Sequence, residues 1–395
     1  MSSDKKFTAI SLFSGAGGDS LGLKNAGINV VAYNEVNPKF CKTHEANFPN
    51  CTLIQNDNTS DITKITDETF LNYKEKVDII FAGFPCQGFS KAGKKDDNDP
   101  RNTMFIEFVR ATKLINPYMI IGENVKGLLK KKTNSGENYI DIICNEFIHL
   151  GYNVSYEIMK CDHYDVPQKR ERLIIIGIRQ NPYGWTVKFP TKLTSKPNMR
   201  DIIEYSMIGT VKVSKSLFNT IPSNCIITNM TDTSEYLDNN KGHPYLLAKL
   251  TATDEQRSYK TTKKDCVVKT ILLPHETIVI KTNKKGDEET KTILNETPYL
   301  FSFNKRESPI HCEIINIKSP CKTIICTYNN QPRFFVPIKN ASGCYLRALL
   351  PDELKQIQGF PSDYIICGSV KDQIIQIGNA VPPPLIYNIV KTIIS

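Results

Sequence analysis

The sequence lacks the features of a membrane protein, a secreted protein or a structural zinc protein. No apolar run approaches the roughly 18 residues of a membrane helix. The start, MSSDKKFTAI, is polar and predicts no signal peptide. The 12 cysteines form no CxxC pair and no Cys/His spacing of the zinc type. In a chain of this length they predict reduced thiols in an intracellular protein rather than a disulfide scaffold.

The composition is that of an ordinary globular protein with a basic excess. The hydrophobic fraction is 40% and the charged fraction is 23%. A chain of 395 residues is long enough for a sizeable core and two domains. The 50 Lys and Arg outnumber the 41 Asp and Glu, which gives a net charge of +9. This charge favours a polyanion partner, because bound cations release phosphate counterions, but it does not establish one.

The first half of the sequence alternates short apolar runs with helical patterns. Such alternation predicts an α/β fold with a largely parallel, doubly wound sheet. The predicted strands are Phe7–Phe13, Ile28–Tyr33, Val77–Phe81, Tyr118–Ile121 and Leu173–Ile178. The predicted helices between them are Asp19–Ala26, Pro38–Phe48, Thr103–Ile115 and Tyr139–Leu150.

The middle of the chain has a different pattern, rich in Thr, Lys and Asn. Short β-branched runs such as Cys266–Leu273 and Thr277–Lys281 occur here, and the charged segment Asn283–Glu289 predicts a hairpin tip. Helical patterns return at Pro351–Gln358 and Leu385–Ile394. We therefore predict a first domain, a smaller irregular β-rich domain and a return to the first domain, at 1–188, 189–343 and 344–395.

A glycine-rich loop follows the first predicted strand. Gly15, Gly17 and Gly18 let the backbone approach a ligand closely, and the next helix offers free amide groups. The dinucleotide fingerprint has a glycine where Ser20 stands, so the pattern disfavours nicotinamide. Glu35 ends the second predicted strand, where an acid commonly holds both hydroxyls of a ribose. The alternative for Glu35 is a solvated carboxylate at a strand end.

Cys86 lies just after the apolar strand Val77–Phe81, in the sequence GFPCQGFS. Ligands of open α/β sheets bind at the carboxyl ends of strands, and a thiolate there could act as a nucleophile. An isolated cysteine is more often a small buried hydrophobe. The nucleophile is favoured because three polar segments follow it in order: ENV at 123–125, QKRER at 168–172 and GNAVP at 378–382.

These segments, together with FSGAGG at 13–18, resemble the motifs of the DNA (cytosine-5) methyltransferases. The resemblance covers about 7–179 and 320–385. It implies a Rossmann-like S-adenosylmethionine-dependent methyltransferase domain with a doubly wound mixed sheet, and a smaller β-rich target-recognition domain. The resemblance places the cofactor among Phe13, Gly15, Ala16, Gly17, Gly18, Glu35, Val36, Asp61, Pro85, Met104, Asn379 and Val381.

Some positions leave details of this cofactor site open. Val36 stands where some members of the family have tryptophan, and Asn102 follows Arg101 where glycine is common. Asp61 matches the acid that contacts adenine in the family, and Asp57 is an alternative for that role. These departures concern individual contacts rather than the class of enzyme.

The resemblance also implies the catalytic residues. Cys86 is expected to add to carbon 6 of cytosine, and Glu123 to hydrogen-bond the base. Arg172 corresponds to the catalytic arginine, with Arg170 beside it as a second catalytic and DNA-holding residue. Taken alone, QKRER would be a charged surface turn and ENV a helix-capping turn. No metal is implied.

The target base is stacked in duplex DNA, so the resemblance implies that it is flipped out of the helix. The polar loop Ser90–Arg101 is expected to close over the flipped base, with Lys91 and Lys94 near phosphate; the alternative is a loop without a role. The residues expected at the DNA are Gln87, Ser90, Gln168, Arg170, Thr323, Gln331 and Arg333.

We predict that the DNA sequence is recognised by the 189–343 domain, chiefly around Thr323–Arg333. The segment Lys322–Ile324 resembles the threonine-centred strand that ends the recognition region of the family. After it, Tyr328–Arg333 concentrates amide and guanidinium groups, which can pair with adenine and guanine in the major groove. The alternative is an Asn-rich hairpin turn that makes no DNA contact.

The leading hypothesis is thus an enzyme that methylates cytosine in double-stranded DNA, a monomer associated with DNA inside the cell. A cognate restriction endonuclease, acting separately, is the partner that a restriction-modification system would add. Three alternatives remain: an RNA methyltransferase, a non-catalytic DNA-binding homologue and a nicotinamide oxidoreductase. The first is disfavoured because the Cys-Phe-Thr tripeptide of the tRNA-directed relatives is absent. The others would leave Cys86, Glu123 and Arg172 without a role in chemistry.

Overall fold

The computed structural model divides into two compact units. The first unit comprises Met1–Pro197, Lys322–Cys326 and Leu354–Ser395, and the second comprises Asn198–Cys321 and Thr327–Glu353. The predicted boundaries lie nine to ten residues earlier, at 188/189 and 343/344, and they include 322–326 in the middle domain. The structure describes residues 6–85, 104–133, 135–213, 215–219, 221, 223–234, 258–261, 264–267, 270–272, 276–282, 288–294, 300–303, 312–329 and 332–395.

The helices are mostly short and begin close to the predicted positions. Residues Ile62–Lys64, Lys126–Lys130, Cys161–His163 and Ser223–Cys225 form single 3₁₀ turns. Over the described ranges, the α-helices are α1 Gly18–Asn25, α2 Pro38–Asn47, α3 Asp67–Leu71, α4 Phe105–Ile115, α5 Tyr139–His149, α6 Lys215–Phe218, α7 Pro351–Ile357, α8 Val370–Asn379 and α9 Pro383–Ile394. None of these helices is long and apolar enough to cross a membrane.

A seven-stranded mixed sheet organises the first unit. The strand order is β3-β2-β1-β4-β5-β7-β6. The pairs from β3 to β5 are parallel, whereas β7 runs antiparallel to both β5 and β6. This doubly wound mixed sheet confirms the predicted fold class. The strands are β1 Thr8–Leu12, β2 Asn29–Asn34, β3 Thr52–Leu53, β4 Ile79–Ala82, β5 Met119–Val125, β6 Asn153–Lys160 and β7 Glu171–Ile178.

The central strands of this sheet are buried on both faces, which explains their nearly continuous apolar sequences. Alternate residues point to opposite faces, so Ile80 and Ile120 belong to one core while Ile79 and Ile121 belong to the other. Residues of α4 and α5 lie in the first core, and residues of α1 and α9 lie in the second. The order β2-β1-β4 contains the switch point at which ligands bind in such sheets.

The second unit is built from β-strands. Its main sheet has the order β12-β15-β16-β17-β18-β8, with β9 paired to β17. The pairs β10/β11 and β13/β14 form two separate two-stranded sheets. The strands are β8 Val211–Lys212, β9 Ile227–Asn229, β10 Ser258–Thr261, β11 Lys264–Val267, β12 Thr270–Leu272, β13 Glu276–Thr282, β14 Glu288–Leu294, β15 Leu300–Phe303, β16 Cys312–Ile314, β17 Phe334–Asn340 and β18 Gly343–Ala348.

The charged hairpin predicted in the middle of the chain matches the pairing of β13 with β14. The two strands are antiparallel, and Thr282 pairs with Glu288 at their end. Two of the acidic residues assigned to the tip, Glu288 and Glu289, belong to β14 instead. The remaining tip residues, 283–287, lie outside the described residues.

Candidate active site

The glycine loop between β1 and α1 has the conformation that its sequence predicts. Gly15 and Gly17 have φ angles of 55° and 76°, and Phe13 adopts a positive φ of 57° as well. The Ser14 amide donates to the Asn34 carbonyl at 3.0 Å, which joins the loop to the end of β2. Apart from Gly15 and its two chain neighbours, no atom of the described residues lies within 4 Å of the position that a Gly15 Cβ would occupy. The loop therefore leaves its backbone accessible at Gly15.

Glu35 lies beside this loop, directly after β2, and is buried. Its Oε2 accepts from the Gly15 amide at 2.9 Å, and its Oε1 accepts from the Asn37 amide at 2.8 Å. Burial raises the pKa of the Glu35 carboxyl, and the backbone donors of Asn37 and Gly15 oppose that rise. The next side chain, Val36, is 65% exposed. A buried acid beside an exposed apolar side chain suits the sugar and the base of a nucleoside.

Gly18 has a packing role that the sequence does not reveal. A Cβ at Gly18 would lie 2.1 Å from the Val381 carbonyl oxygen, so only glycine allows this approach of the C-terminal segment. Val381 and the preceding Ala380 are buried, whereas Asn379 is exposed at the end of α8. The structure thus brings Val381 of GNAVP against Gly18 at the start of α1, and both residues are among those predicted at the cofactor. The cofactor contact of Gly18 itself stays a prediction.

A buried polar cluster lies within α1 and its neighbours. Ser11 and Ser20 both donate to the carboxylate of Asp19, and the Ser20 hydroxyl lies 3.0 Å from His44 Nε2. Burial raises the pKa of the Asp19 carboxyl to about 7, with the hydrogen bond from Ser11 opposing it. Burial also lowers the pKa of His44 to about 3. The cluster therefore favours neutral side chains beneath the glycine loop.

Other predicted cofactor residues lie at the same carboxyl ends of the strands. Asp61 caps the 3₁₀ turn at 62–64 by accepting from the Thr63 amide at 3.1 Å. Pro85 and Met104 are partly exposed, and Met104 precedes α4. Ala16 is buried, and its carbonyl accepts from the Tyr364 hydroxyl at 2.6 Å. Asp57, the alternative to Asp61, has a positive φ of 41° in the turn before it.

Cys86, Gln87 and Ser90 lie outside the described residues, as does the whole loop 90–101. The chain leading to Cys86 is described as far as Pro85. Asn124 of β5 donates from Nδ2 to the Phe84 carbonyl at 3.2 Å, and Asn124 is buried. Asn124 therefore fixes the backbone immediately before the proposed nucleophile, a positioning role that only its place in ENV could suggest.

Glu123 and Arg172 form an ion pair at the ends of adjacent strands. Arg172 Nε lies 2.6 Å from Glu123 Oε1, and the two side chains are 13% and 12% exposed. In the β5/β7 register, Glu123 pairs with Ile174 and Val125 pairs with Arg172. Glu123 and Arg172 are thus diagonal neighbours on one face of the sheet, within reach of long side chains. The structure brings together the acid and the arginine that the sequence predicts.

Arg170 and Gln168 are both buried, and their described hydrogen bonds lie within the first unit. Arg170 donates to the carbonyls of Ile324, Gly378 and Ala380, and Gln168 Nε2 donates to Gln358 Oε1. These contacts favour a positioning role for both residues. Their predicted contact with DNA stays a prediction.

The remaining predicted DNA residues fall in different units. Thr323 belongs to the first unit, where its hydroxyl donates to the Lys169 carbonyl at 3.1 Å. Arg333 belongs to the second unit and is partly exposed just before β17. Gln331 lies outside the described residues. Within the portion of the chain that the structure describes, no group of three His, Cys, Asp or Glu side chains could hold a metal ion.

Comparison with known proteins identifies the family. A family profile described as C-5 cytosine-specific DNA methylase matches residues 7–395. The chain belongs to this family. Members are transferases that use S-adenosylmethionine, and the resemblance seen in the five sequence motifs is thereby confirmed.

Individual relatives within the family are type II methyltransferases. M.DdeI of Desulfomicrobium norvegicum is 31% identical over 398 residues, covering 95% of this chain and 86% of the relative. M1.HphI of Haemophilus parahaemolyticus is 29% identical over 402 residues, covering 98% and 87%. M.Eco47II of Escherichia coli is 38% identical over 205 residues, and this match spans 50% of the chain and about half of that relative, 47%.

Solved structures share the fold at lower identity. A DNA modification methyltransferase encoded in an E. coli prophage has a TM-score of 0.57 at 19% identity, covering 98% of both chains. A DNMT2 variant of Spodoptera frugiperda has a TM-score of 0.59 at 17% identity, covering 99% of this chain and all of the other. These likenesses show the same Rossmann-like methyltransferase fold.

We predict that Asp19→Asn removes a pH-dependent loss of stability. Burial holds the pKa of the folded Asp19 near 7, whereas the unfolded carboxyl ionises near its ordinary value of 3.8. In acid the carboxyl is protonated in both states and costs no unfolding free energy. Between the two pKa values it ionises only in the unfolded protein, so its cost in unfolding free energy grows as the pH rises. Relative to the wild type, the variant should gain roughly 2–4 kcal/mol of unfolding free energy between pH 4 and pH 7. Urea titrations at several pH values measure this gain.

The control for this prediction is Asp363→Asn, because the Asp363 side chain is exposed. At pH 7 this variant should change the unfolding free energy much less than Asp19→Asn does. A gain for Asp19→Asn that is the same at every pH would show that the Asp19 carboxyl is not held neutral in the folded protein.

Proposed function

We propose that this chain methylates carbon 5 of a flipped-out cytosine in a specific sequence of double-stranded DNA, with Cys86 as the nucleophile. The observation that carries the proposal is the Glu123–Arg172 pair, 2.6 Å apart and nearly buried. It lies at the end of β5, beside the strand β4 that leads into Pro85 and Cys86. The acid, the arginine and the thiol are the three groups that activation of a cytosine ring requires.

The proposed chemistry begins with the Cys86 thiolate. Its sulfur bonds to carbon 6 of the ring, and the electron pair of the 5,6 double bond moves to carbon 5. S-adenosylmethionine, when bound, supplies an electrophilic methyl group. Carbon 5 would bond to this methyl group as the methyl–sulfur bond of the sulfonium breaks and S-adenosylhomocysteine leaves. Carbon 5 would then lose its proton to water, and the electron pair left behind would restore the double bond as the Cys86 sulfur departs. The product is 5-methylcytosine with free Cys86.

Glu123 and Arg172 would hold the ring during this sequence. The Glu123 carboxyl can hydrogen-bond ring nitrogen 3 and the exocyclic amine, where charge changes as sulfur adds. Arg172 offers planar donors and, through its contact with Glu123 Oε1, fixes the orientation of that carboxyl. Asn124 fixes the backbone at Phe84 and thereby the start of the segment that carries the thiol.

The residues beside the glycine loop fit the proposed cofactor. Glu35 can accept from both ribose hydroxyls while keeping its two backbone donors, and Val36 offers an exposed apolar surface to the adenine. The Ser14 hydroxyl is buried and makes no hydrogen bond to the described residues, so it is free to meet a polar ligand group. Gly15 leaves room for such a ligand to approach the backbone.

The proposal also covers the oligomeric state, the location, the partner and the recognition of DNA. The enzyme acts as a monomer on DNA inside the cell. The type II relatives support a restriction-modification role with a separate cognate endonuclease. The second unit would recognise the DNA sequence, with Arg333 and Gln331 among the base-contacting residues and the loop 90–101 closing over the flipped base.

We predict that Cys86→Ser abolishes methyl transfer to DNA and leaves cofactor affinity unchanged. A serine hydroxyl is far less ionised than a thiol at neutral pH and does not add to carbon 6. The measurement is transfer from labelled cofactor to duplex DNA, with tRNA as the competing substrate and Cys367→Ser as the active control. Duplex DNA containing 5-fluorocytosine should trap the wild type, because fluorine cannot leave as a proton does. Turnover by the Cys86 variant would refute covalent catalysis, and transfer to tRNA alone would refute the DNA substrate.

We predict that Glu35→Ala weakens cofactor binding roughly 10- to 100-fold while lowering kcat at saturation much less. Loss of charge-assisted hydrogen bonds to two hydroxyls costs about 1.5–3 kcal/mol. Calorimetric titration with the cofactor measures the change, and Glu45→Ala, on the exposed side of α2, is the control. An unchanged dissociation constant would limit Glu35 to holding the backbone of the loop through the Gly15 and Asn37 amides.

We predict that Arg333→Ala relaxes the methylated DNA sequence at one position without changing cofactor affinity. An arginine that pairs bidentately with guanine contributes about 1–3 kcal/mol of discrimination. Base-modification sequencing of DNA from cells that express each variant gives the sequence. Lys339→Ala removes an equal charge from an exposed position of the otherwise buried β17 and should leave the methylated sequence unchanged. If Arg333→Ala weakens binding to all DNA uniformly, Arg333 contacts phosphate instead of a base.

A further inference from the structure

Three separate parts of the first unit meet at the beginning of β7. The Arg170 guanidinium donates from Nη1 to the Ile324 carbonyl at 3.3 Å and to the Gly378 carbonyl at 3.1 Å. Its Nη2 donates to the Ala380 carbonyl at 3.2 Å. One side chain thus joins β7 to segments 154 and 208 residues further along the chain.

Two glutamines complete the same junction. Gln168 accepts from the Ile324 amide at 2.9 Å and donates to Gln358 Oε1 at 2.7 Å. Gln358 in turn donates to the Ala380 carbonyl at 2.5 Å. Both glutamines are fully buried. Together with Arg170 they form a closed ring of hydrogen bonds, which we call the Arg170 junction.

Backbone packing shows that the junction is tight. A Cβ at Gly378 would lie 2.5 Å from the Cys326 amide nitrogen, so the two segments touch through their backbones. The Thr323 hydroxyl donates to the Lys169 carbonyl on the other side of the junction. No one of these segments can shift without displacing the others.

Stability alone does not explain a buried arginine here. Arg170 is 2% exposed, and its described hydrogen bonds go to carbonyl oxygens rather than to a carboxylate. Burying a charge without an ionic partner costs folding free energy. Burial, with the nearby Arg172 cation, lowers the pKa of Arg170 to about 9. An apolar side chain of similar volume would avoid that cost, so the junction calls for a functional explanation.

The ends of the junction have different predicted partners. Thr323 is adjacent to Ile324 and is predicted at the DNA, whereas Asn379 and Val381 flank Ala380 and are predicted at the cofactor. Arg172 lies two residues from Arg170 on β7 and contacts Glu123. The Arg170 junction therefore links a DNA-facing segment, a cofactor-facing segment and the catalytic pair.

We propose that Arg170 is a positioning residue that couples DNA binding to cofactor binding, rather than a residue that contacts DNA. A ligand that orders one of the joined segments orders the other, so each ligand strengthens the binding of the second. The coupling is reciprocal, because both ligands act on one free-energy difference. This inference rests on the proposed function, since it assumes a DNA substrate and S-adenosylmethionine.

The test measures the affinity of S-adenosylhomocysteine, the demethylated cofactor, with and without a duplex that carries the sequence which the enzyme methylates. The ratio of the affinity with the duplex to the affinity without it measures the coupling. In the wild type the duplex should tighten binding about 5- to 150-fold, the range typical of coupled sites. In Arg170→Lys this ratio should fall to nearly 1, because the shorter, non-planar ammonium cannot reach three carbonyls. Affinity for S-adenosylhomocysteine alone should change much less than the ratio.

Arg179→Lys is the matched control. Arg179 also holds two backbone carbonyls of the first unit, those of Pro117 and Asn116, but it lies outside the junction. Its substitution should lower thermal stability and preserve the ratio. Should Arg170→Lys not fold, Gln358→Ala removes the other donor to Ala380 and should reduce the ratio at least threefold.

The outcomes separate this inference from the proposed function. A wild type that methylates duplex DNA but shows a ratio of 1 overturns the coupling and leaves the function standing. A wild-type ratio in either junction variant also overturns it. If the wild type transfers no methyl group to duplex DNA, the proposed function fails first. If Arg170→Lys lowers DNA affinity without cofactor and preserves the ratio, Arg170 contacts DNA.

Discussion

The antiparallel pairing of β7 with β5 is the constraint on which the rest of the site depends. β4, the other neighbour of β5, runs parallel to β5, whereas β7 runs antiparallel to it. In this sheet, only β7 therefore brings the start of a strand to the carboxyl edge. That reversal puts Arg172 opposite Val125 and diagonal to Glu123. A slip of one residue would turn Arg172 to the opposite face and separate the pair. Gly177 helps to fix this register, because it pairs with Ile120 and a Cβ at Gly177 would lie 2.7 Å from the Ile120 side chain.

Burying polar groups beneath the site costs folding free energy, which the packing of the two apolar cores of the first unit must offset. Asp19 and Arg170 are both buried ionisable groups. Burial raises the pKa of Asp19 and lowers that of Arg170, which favours the neutral form of each side chain. Neither forms an ion pair with a described residue, in contrast to Arg347 and Glu353 of the second unit, which are 2.6 Å apart. Unpaired buried groups persist where positioning matters more than stability. Both lie next to segments that are predicted to hold the cofactor, the catalytic pair or DNA.

Much of this arrangement could be predicted from the sequence, because buried parallel strands and family motifs are local signals. The apolar runs gave the central strands, and ENV and QKRER gave Glu123 and Arg172. The strand β6 was missed because it lies at the sheet edge, where half of its residues are exposed and the apolar run disappears. Asp19 resembled an ordinary acid in the first turn of a helix. Gln358 gave no signal, since its partners are distant in sequence and only the fold brings them together.

The predicted DNA contacts of Arg170 and Thr323 rest on sequence motifs alone. Their motifs mark them as functional, but a motif does not say whether a side chain points toward a ligand or into the protein. The segment Lys322–Cys326 interrupts the second unit in sequence and belongs to the first by its contacts. A chain that leaves the second unit, passes through the first and returns to the second must be anchored where it passes. Thr323, Gln168 and Arg170 supply that anchor through side-chain bonds to the backbone. Because the partner groups are the backbone carbonyls and amide of Lys169 and Ile324, this anchor does not depend on the side chains of those two residues.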